Sequence, residues 1–177
     1  ISKAAGVHTS KFYREAHHVR ASVGFLYNHE SPLRGPSFVS QRIASGAAAI
    51  AAGLQQTLTI GDLSARTDWG YAPDFVDAMI RIARRPDADD YIIATGEAHT
   101  VEEFVEAAFA RVGLDWRDHV TEDRSLLTRT SPARIGNPTH LKTSTGWEPT
   151  VTFKELVEIL VDAAVQSLTK TNSAAFA

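Results

Sequence analysis

Short apolar segments of strand length alternate with longer amphipathic stretches along this chain of 177 residues, and that alternation most restricts what it can fold into. From Val19 to Tyr27 every second side chain is apolar (Val19, Ala21, Val23, Phe25, Tyr27), the period of a strand. A loop rich in turn formers runs from Asn28 to Gly35. Phe38, Val39, Ile43, Ala47, Ile50 and Leu54 then mark one face of a helix that opens at Pro36, a residue suited to a first helical position, and closes near Gly53. A strand from Thr57 to Ile60, a helical stripe of Phe75, Val76, Met79, Ile82 and Ala83 halted by Pro86, and a strand from Tyr91 to Ala94 continue the series. Strands interleaved with helices imply an α/β fold with at least some parallel pairing, because parallel neighbours need a crossover.

Two helices carry their own start signals. Thr100 with Glu103 forms a capping box ahead of Val101, Phe104, Val105, Ala108, Phe109 and Val112, and Gly113 stands where a left-handed cap is wanted. Thr152 with Glu155 repeats the design, with Val151 placed to staple onto Leu156. The opening segment to His18 has a looser helical pattern, and the residues from about Thr169 read as a frayed tail.

Charge and composition exclude several classes. Eighteen Lys plus Arg against 21 Asp plus Glu leave a net charge of -3, with no basic run to track a phosphate backbone, so nucleic acid is not an expected partner. The absence of cysteine rules out disulfides, thiolate catalysis and Cys-ligated metals. His17 and His18 are adjacent, but no His-Glu-x-x-His or carboxylate triad accompanies them, so no metal is expected. Nothing resembles a signal peptide or an apolar run of about 18 residues, and a cytoplasmic protein that does not enter membranes is the default expectation. No Gly-x-Gly-x-x-Gly follows any strand, so most of any dinucleotide site lies outside these motifs.

One stretch has the makings of an anion site. A loop that leaves a strand and enters a helix aims unpaired backbone N–H groups outward, and Arg34 and Arg42 flank that positive end. The plainer alternative has Asn28 and Ser31 making turn hydrogen bonds, Val39 in the core and both arginines solvated. Lys3, taken alone, reads as a solvated surface group.

Five phrases carry a resemblance. Ile1-Ser2-Lys3-Ala4-Ala5-Gly6-Val7-His8 with Phe12-Tyr13-Arg14-Glu15-Ala16 resembles the helix of extended short-chain dehydrogenases that bears a Tyr-x-x-x-Lys pair, with the tyrosine position falling before Ile1. Asn28-His29-Glu30-Ser31-Pro32-Leu33-Arg34-Gly35 with Phe38 to Ile43, the Gly61 to Met79 segment around Asp68-Trp69-Gly70, and Ile93-Ala94-Thr95-Gly96-Glu97-Ala98-His99-Thr100-Val101 are similar to the GDP-mannose 4,6-dehydratase family. The Asn137 to Lys142 phrase followed by Gly146-Trp147-Glu148-Pro149 is common to extended enzymes of this class.

The resemblance implies the C-terminal portion of an extended Rossmann-type fold. Residues 1–35 would end the cofactor domain, 36–168 would be mainly a smaller substrate-binding domain with some segments returning to the Rossmann sheet, and 169–177 would be a tail. The implied activity is a nucleotide-sugar 4,6-dehydratase (a lyase) that converts GDP-mannose to GDP-4-keto-6-deoxymannose by an internal hydride shuttle through NADP, with NAD as a possible substitute. Lys3 would be both a catalytic and a cofactor-binding residue, His29 and Arg34 would contact NADP, and Asn28, Val39 and Arg42 would lie on the substrate side. The family has an arginine just before Asp68, where this chain has Thr67; Arg66 is the candidate replacement for gripping the diphosphate. A second departure is Ser131, where an Arg-Pro pair is common and where Arg129 or Arg134 could compensate. The proton-abstracting glutamate of relatives lies upstream, so Glu30 reads as structural. A nucleoside-diphosphate sugar is the expected partner, together with a second copy in a homodimer or homotetramer. The alternatives are an epimerase or 4-ketoreductase of the same fold, suggested by Thr67 and Ser131, or a non-catalytic binding or oligomerisation module.

Overall fold

A computed structural model describes residues 1–126 and 135–175, the last five as backbone only. Helix α1 (Ser2–His17) leads to strands β1 (Val23–Leu26) and β2 (Asn28–Glu30), helix α2 (Val39–Ala51), and strands β3 (Leu58–Ile60), β4 (Arg66–Thr67) and β5 (Trp69–Tyr71). Helix α3 (Ala72–Arg84), β6 (Asp90–Ile93), β7 (His99–Thr100), α4 (Val101–Arg111), β8 (Val120–Glu122), α5 (Thr139–Thr145) and α6 (Phe153–Ala175) follow.

Three strand pairs are parallel: β1 with β6, β2 with β5, and β3 with β8. A fourth, β4 with β7, is antiparallel. Each parallel pair is separated in sequence by at least one helix, as the crossover requirement demands. The larger core packs Ile43, Ala47 and Ile50 of α2, Phe104, Val105 and Phe109 of α4, and Leu156, Val157 and Leu160 of α6 around Ile60 and Trp69. A smaller core joins Phe75, Ala78 and Ile82 of α3 to Tyr91 and Ile93 of β6 and to Leu141 and Trp147. Burying one such Leu, Ile or Phe side chain contributes roughly 1.5–3 kcal/mol, so these two clusters are the main favourable term of the fold.

The helix signals act as the sequence implies. Thr100 Oγ1 accepts the Glu103 N–H at 3.0 Å while Glu103 Oε2 accepts the Thr100 N–H at 3.1 Å. Thr152 and Glu155 repeat the exchange at 3.3 and 2.8 Å. Gly53 and Gly113 have φ of 70° and 75°, the left-handed conformation that ends a helix with least strain in glycine.

Several boundaries differ from expectation. The strand at Val19 to Tyr27 shortens to β1, because Ala21 N–H turns back onto Val19 O at 2.8 Å and Ala21 O accepts Arg14 Nη1 at 3.0 Å. Asn28 to Glu30 is a strand and not a loop; its pairing with Trp69 to Tyr71 overrides the turn preference of these polar residues. The second helix begins at Val39 and not at Pro36, since Phe38 N–H closes a turn onto Gly35 O at 3.2 Å. Phe38 and Leu54, 45% and 61% exposed, fall outside that helix, and its buried stripe is carried by Ile43, Ala47 and Ile50. Helix α6 continues to Ala175, past the fraying expected from Thr169. Helix α1 forms as expected but buries none of its residues.

Candidate functional site

The expected site residues fall mainly around the β2/β5 pair. Asn28 pairs with Trp69 and His29 with Gly70, which sets the Asn28-His29-Glu30 strand beside the Asp68-Trp69-Gly70 segment. His29 Nδ1 donates to Tyr27 O at 2.9 Å, so in the neutral ring Nε2 carries the lone pair. The imidazole stacks on Phe75 with centroids 5.1 Å apart.

Beyond β2 the chain makes a tight turn, with Arg34 N–H bonded to Ser31 O at 2.9 Å. Glu30 is buried, and its Oε2 accepts the hydroxyl of Ser40, on the first turn of α2, at 2.7 Å. The same oxygen lies 3.4 Å from Arg34 Nε, and the Arg34 guanidinium sits 3.5 Å over the Phe38 ring. Burial pushes the Glu30 carboxyl above its ordinary range, opposed by the Ser40 hydroxyl and the Arg34 charge. Glu30 thus ties the end of β2 to α2 through Ser40 and to the following turn through Arg34. Gln41 Nε2 donates to Ser31 O at 2.8 Å and closes the loop onto the helix.

The first turn of α2 has neither a side-chain cap nor an acidic residue, because Phe38 occupies the cap position. Its leading N–H groups therefore have no side-chain acceptor, although Ser40 and Gln41 are themselves buried, and Arg34 Nε is ion-paired with Glu30 Oε2 at 3.4 Å without a hydrogen bond. This donor set fits a phosphate-bearing cofactor or substrate. Val39 is half-buried against the larger core, so the plainer reading of that residue has structural support. Arg42, although exposed, is not freely solvated: Nη2 donates to Thr59 O at 2.9 Å.

Arg66 is exposed on β4 and donates to Ala98 O at 2.9 Å, while Thr67 is half-buried opposite His99. Lys3 is exposed on the first turn of α1, a helix tied to the rest of the chain through Arg14, whose Nη1 lies 2.8 Å from Asp90 Oδ1. Asn28, His29, Arg34, Val39 and Arg42 lie on consecutive elements, while Lys3 stands on α1, before them in the chain. Ser131, with Arg129 and Arg134, lies outside the described residues.

Two buried aspartates escaped sequence reasoning. Asp68 accepts Thr95 N–H and Oγ1–H at 3.0 and 2.7 Å, Gly96 N–H at 3.1 Å and Gly136 N–H at 3.2 Å. Asp74 accepts Thr150 N–H and Oγ1–H at 3.0 and 2.6 Å and Val151 N–H at 3.2 Å. Asp74 carries a partial signal as the acidic residue in the first turn of an apolar helical stripe, whereas nothing local marks Asp68, whose donors all lie far along the chain. Thr95, Gly96 and Gly136 line an open polar cleft of about 370 Å³ that also includes Lys142. It lies beyond the carboxyl end of β6, where α/β sheets place their ligands.

Comparison with known proteins agrees with this architecture. The chain is 41% identical over 162 residues to GDP-mannose 4,6 dehydratase 1 of Arabidopsis thaliana, covering 91% of this chain and 45% of that protein. It is 37% identical over 178 residues to GDP-mannose 4,6 dehydratase of Homo sapiens, covering 90% of this chain and 48% of that protein. The chain thus spans about half the length of the curated relatives it matches. Its fold superposes on RMD from Pseudomonas aeruginosa, solved with NADPH, at a TM-score of 0.85 with 22% identity, covering 94% of this chain and 55% of that one. dTDP-glucose 4,6-dehydratase from Bacillus anthracis, solved with NAD, gives a TM-score of 0.79 with 19% identity, covering 95% of this chain and 52% of that one. Those two likenesses bear on the fold, and they bear out the expected Rossmann-type α/β class. Residues 1–160 match the family model described as GDP-mannose 4,6 dehydratase, and the chain belongs to that family.

Proposed function

We propose that the full-length protein is an NADP-dependent nucleotide-sugar 4,6-dehydratase that converts GDP-mannose to GDP-4-keto-6-deoxymannose. The observation that carries this reading is the family match over residues 1–160, which spans every candidate site residue named above. NADP, when bound, supplies a reversible hydride acceptor, which makes the dehydration redox-neutral overall.

The residues of this chain bind and orient. Lys3 presents an ammonium to the cofactor ribose and favours the ionised form of a tyrosine one helical turn upstream. His29 offers an imidazole edge, and Arg34 offers a cation that Glu30 and Phe38 already hold in place, which lowers the ordering cost of meeting a phosphate. Asn28, Val39, Arg42 and Arg66 face the sugar nucleotide, with Arg66 taking over the diphosphate contact that Thr67 cannot make. A cytoplasmic setting goes with this reading, and a homodimer or homotetramer accompanies it by resemblance. Among the described residues no helix is long and apolar enough to cross a membrane.

Incubating the full-length protein with GDP-mannose tests the proposal. It expects a 4-keto-6-deoxy product with no net change in nicotinamide absorbance. Steady NADPH consumption would indicate a reductase instead, and no turnover with any nucleoside-diphosphate hexose would reject the reading.

A further inference from the structure

Asp68 does more than fill a polar gap in the core. It is 1% exposed, and its two oxygens accept four donors from two distant parts of the chain. Oδ1 takes both donors of Thr95, and Oδ2 takes Gly96 N–H and Gly136 N–H. No single neighbouring residue type could replace it, since every group aimed at the carboxylate is a donor.

The turn it holds continues outward. Glu97 N–H bonds to Thr95 Oγ1 at 3.1 Å, and two residues after Gly96 the carbonyl of Ala98 accepts Arg66 Nη2 at 2.9 Å. The path therefore returns close to where it started: Asp68 fixes Thr95 and Gly96, Thr95 Oγ1 holds Glu97, and the next residue, Ala98, accepts the guanidinium two residues before Asp68. Arg66 is exposed, and among the described residues no carboxylate pairs with it. A long cation held by one carbonyl keeps most of its donors for an external anion, and holding it in advance lowers the ordering cost of binding.

We infer that Asp68 is a positioning residue for anion recognition, acting through the Thr95–Ala98 turn on Arg66. The inference rests on the proposed nucleotide-sugar function and adds to it the device that aims the diphosphate contact. Asp68→Asn tests it sharply, because an amide has one acceptor oxygen: it can serve the Thr95 donors or the Gly96 and Gly136 donors, but not both sets.

The experiment is a double-mutant cycle in the full-length protein, reading the Kd for GDP and the KM and kcat for GDP-mannose. Arg66→Ala is expected to weaken GDP binding by about tenfold, the scale of one charge-assisted contact. Asp68→Asn is expected to weaken it several-fold, raising KM more than it lowers kcat, and to add less than about twofold in the Arg66→Ala background. Independent, additive effects would overturn the inference, as would unchanged GDP affinity in Arg66→Ala. Should Asp68→Asn fail to fold, Thr95→Val, which removes only the hydroxyl from this network, reads the same coupling with the same two outcomes. If the wild type binds neither GDP nor GDP-mannose, the function itself is wrong and this inference falls with it. Intact wild-type binding with uncoupled variants sinks the inference alone.

Discussion

The indole Nε1–H of Trp147 donates to the backbone carbonyl of Asp74 at 2.9 Å, and both residues are buried. Because the Asp74 carboxylate also accepts from Thr150 and Val151, the start of α3 and the segment leading into α6 are one polar unit set beside the smaller core. Trp147→Phe, which removes the N–H while leaving an aromatic ring, should cost about 1–2 kcal/mol. Asp74→Ala strands three donors and should cost more, about 3 kcal/mol, in urea unfolding. Equal costs for the two variants would contradict this assignment.

Close packing sets a second expectation. A Cβ at Gly136 would lie 2.1 Å from Ala94 Cβ and 3.1 Å from the Tyr27 ring, with no flexible group to move aside. Gly136→Ala should destabilise the protein by about 2–3 kcal/mol. Gly6, inside α1 with nothing within 4 Å of an added Cβ, is the control. Gly6→Ala should stabilise by roughly 0.5–1 kcal/mol in the same unfolding measurement.

The buried Glu30 gives a pH signature. Burial raises its carboxyl pKa in the folded state, so the fold retains a proton that the unfolded chain has released. Stability therefore falls as pH rises from the ordinary glutamate range through the raised folded value, and levels off above it. Glu30→Gln removes the titration while keeping an acceptor for Ser40. Unfolding free energies across that window should show a flatter slope in the variant, with stability at neutral pH within about 1 kcal/mol of wild type. A steeper slope would contradict the raised pKa.

Arg34 tests the cofactor side. Arg34→Ala in the full-length protein should weaken NADP binding by about tenfold, the value of one charge-assisted hydrogen bond, and leave GDP binding within about twofold. A loss confined to GDP would move Arg34 to the substrate.

What the sequence made legible followed from how local each signal is. The capping boxes at Thr100 and Thr152 and the left-handed Gly113 act within one helical turn, so their residues alone specify them. The Asn28–Glu30 strand was hidden, because its polar residues become a strand only when Trp69–Tyr71 pairs with them. The helix start at Val39 was missed for a related reason: Pro36 is a permissive signal, but the Gly35–Phe38 turn and the stacking of Arg34 on Phe38 consume the preceding residues. The Asp68 and Asp74 centres draw on donors 27 to 77 positions away, a separation no local pattern encodes. Motif resemblance singled out Asn28, His29, Arg34 and Arg42 as candidates and included Asp68 and Asp74 in its phrases, but it marks which residues recur and not which donors a carboxylate holds.

The most direct test of the account follows one atom. With GDP-mannose deuterated at C4 and the full-length protein, the account predicts deuterium at C6 of the 4-keto-6-deoxy product and unlabelled nicotinamide in solution. Label recovered in free NADPH, or retained at C4 of an unchanged hexose, would contradict it.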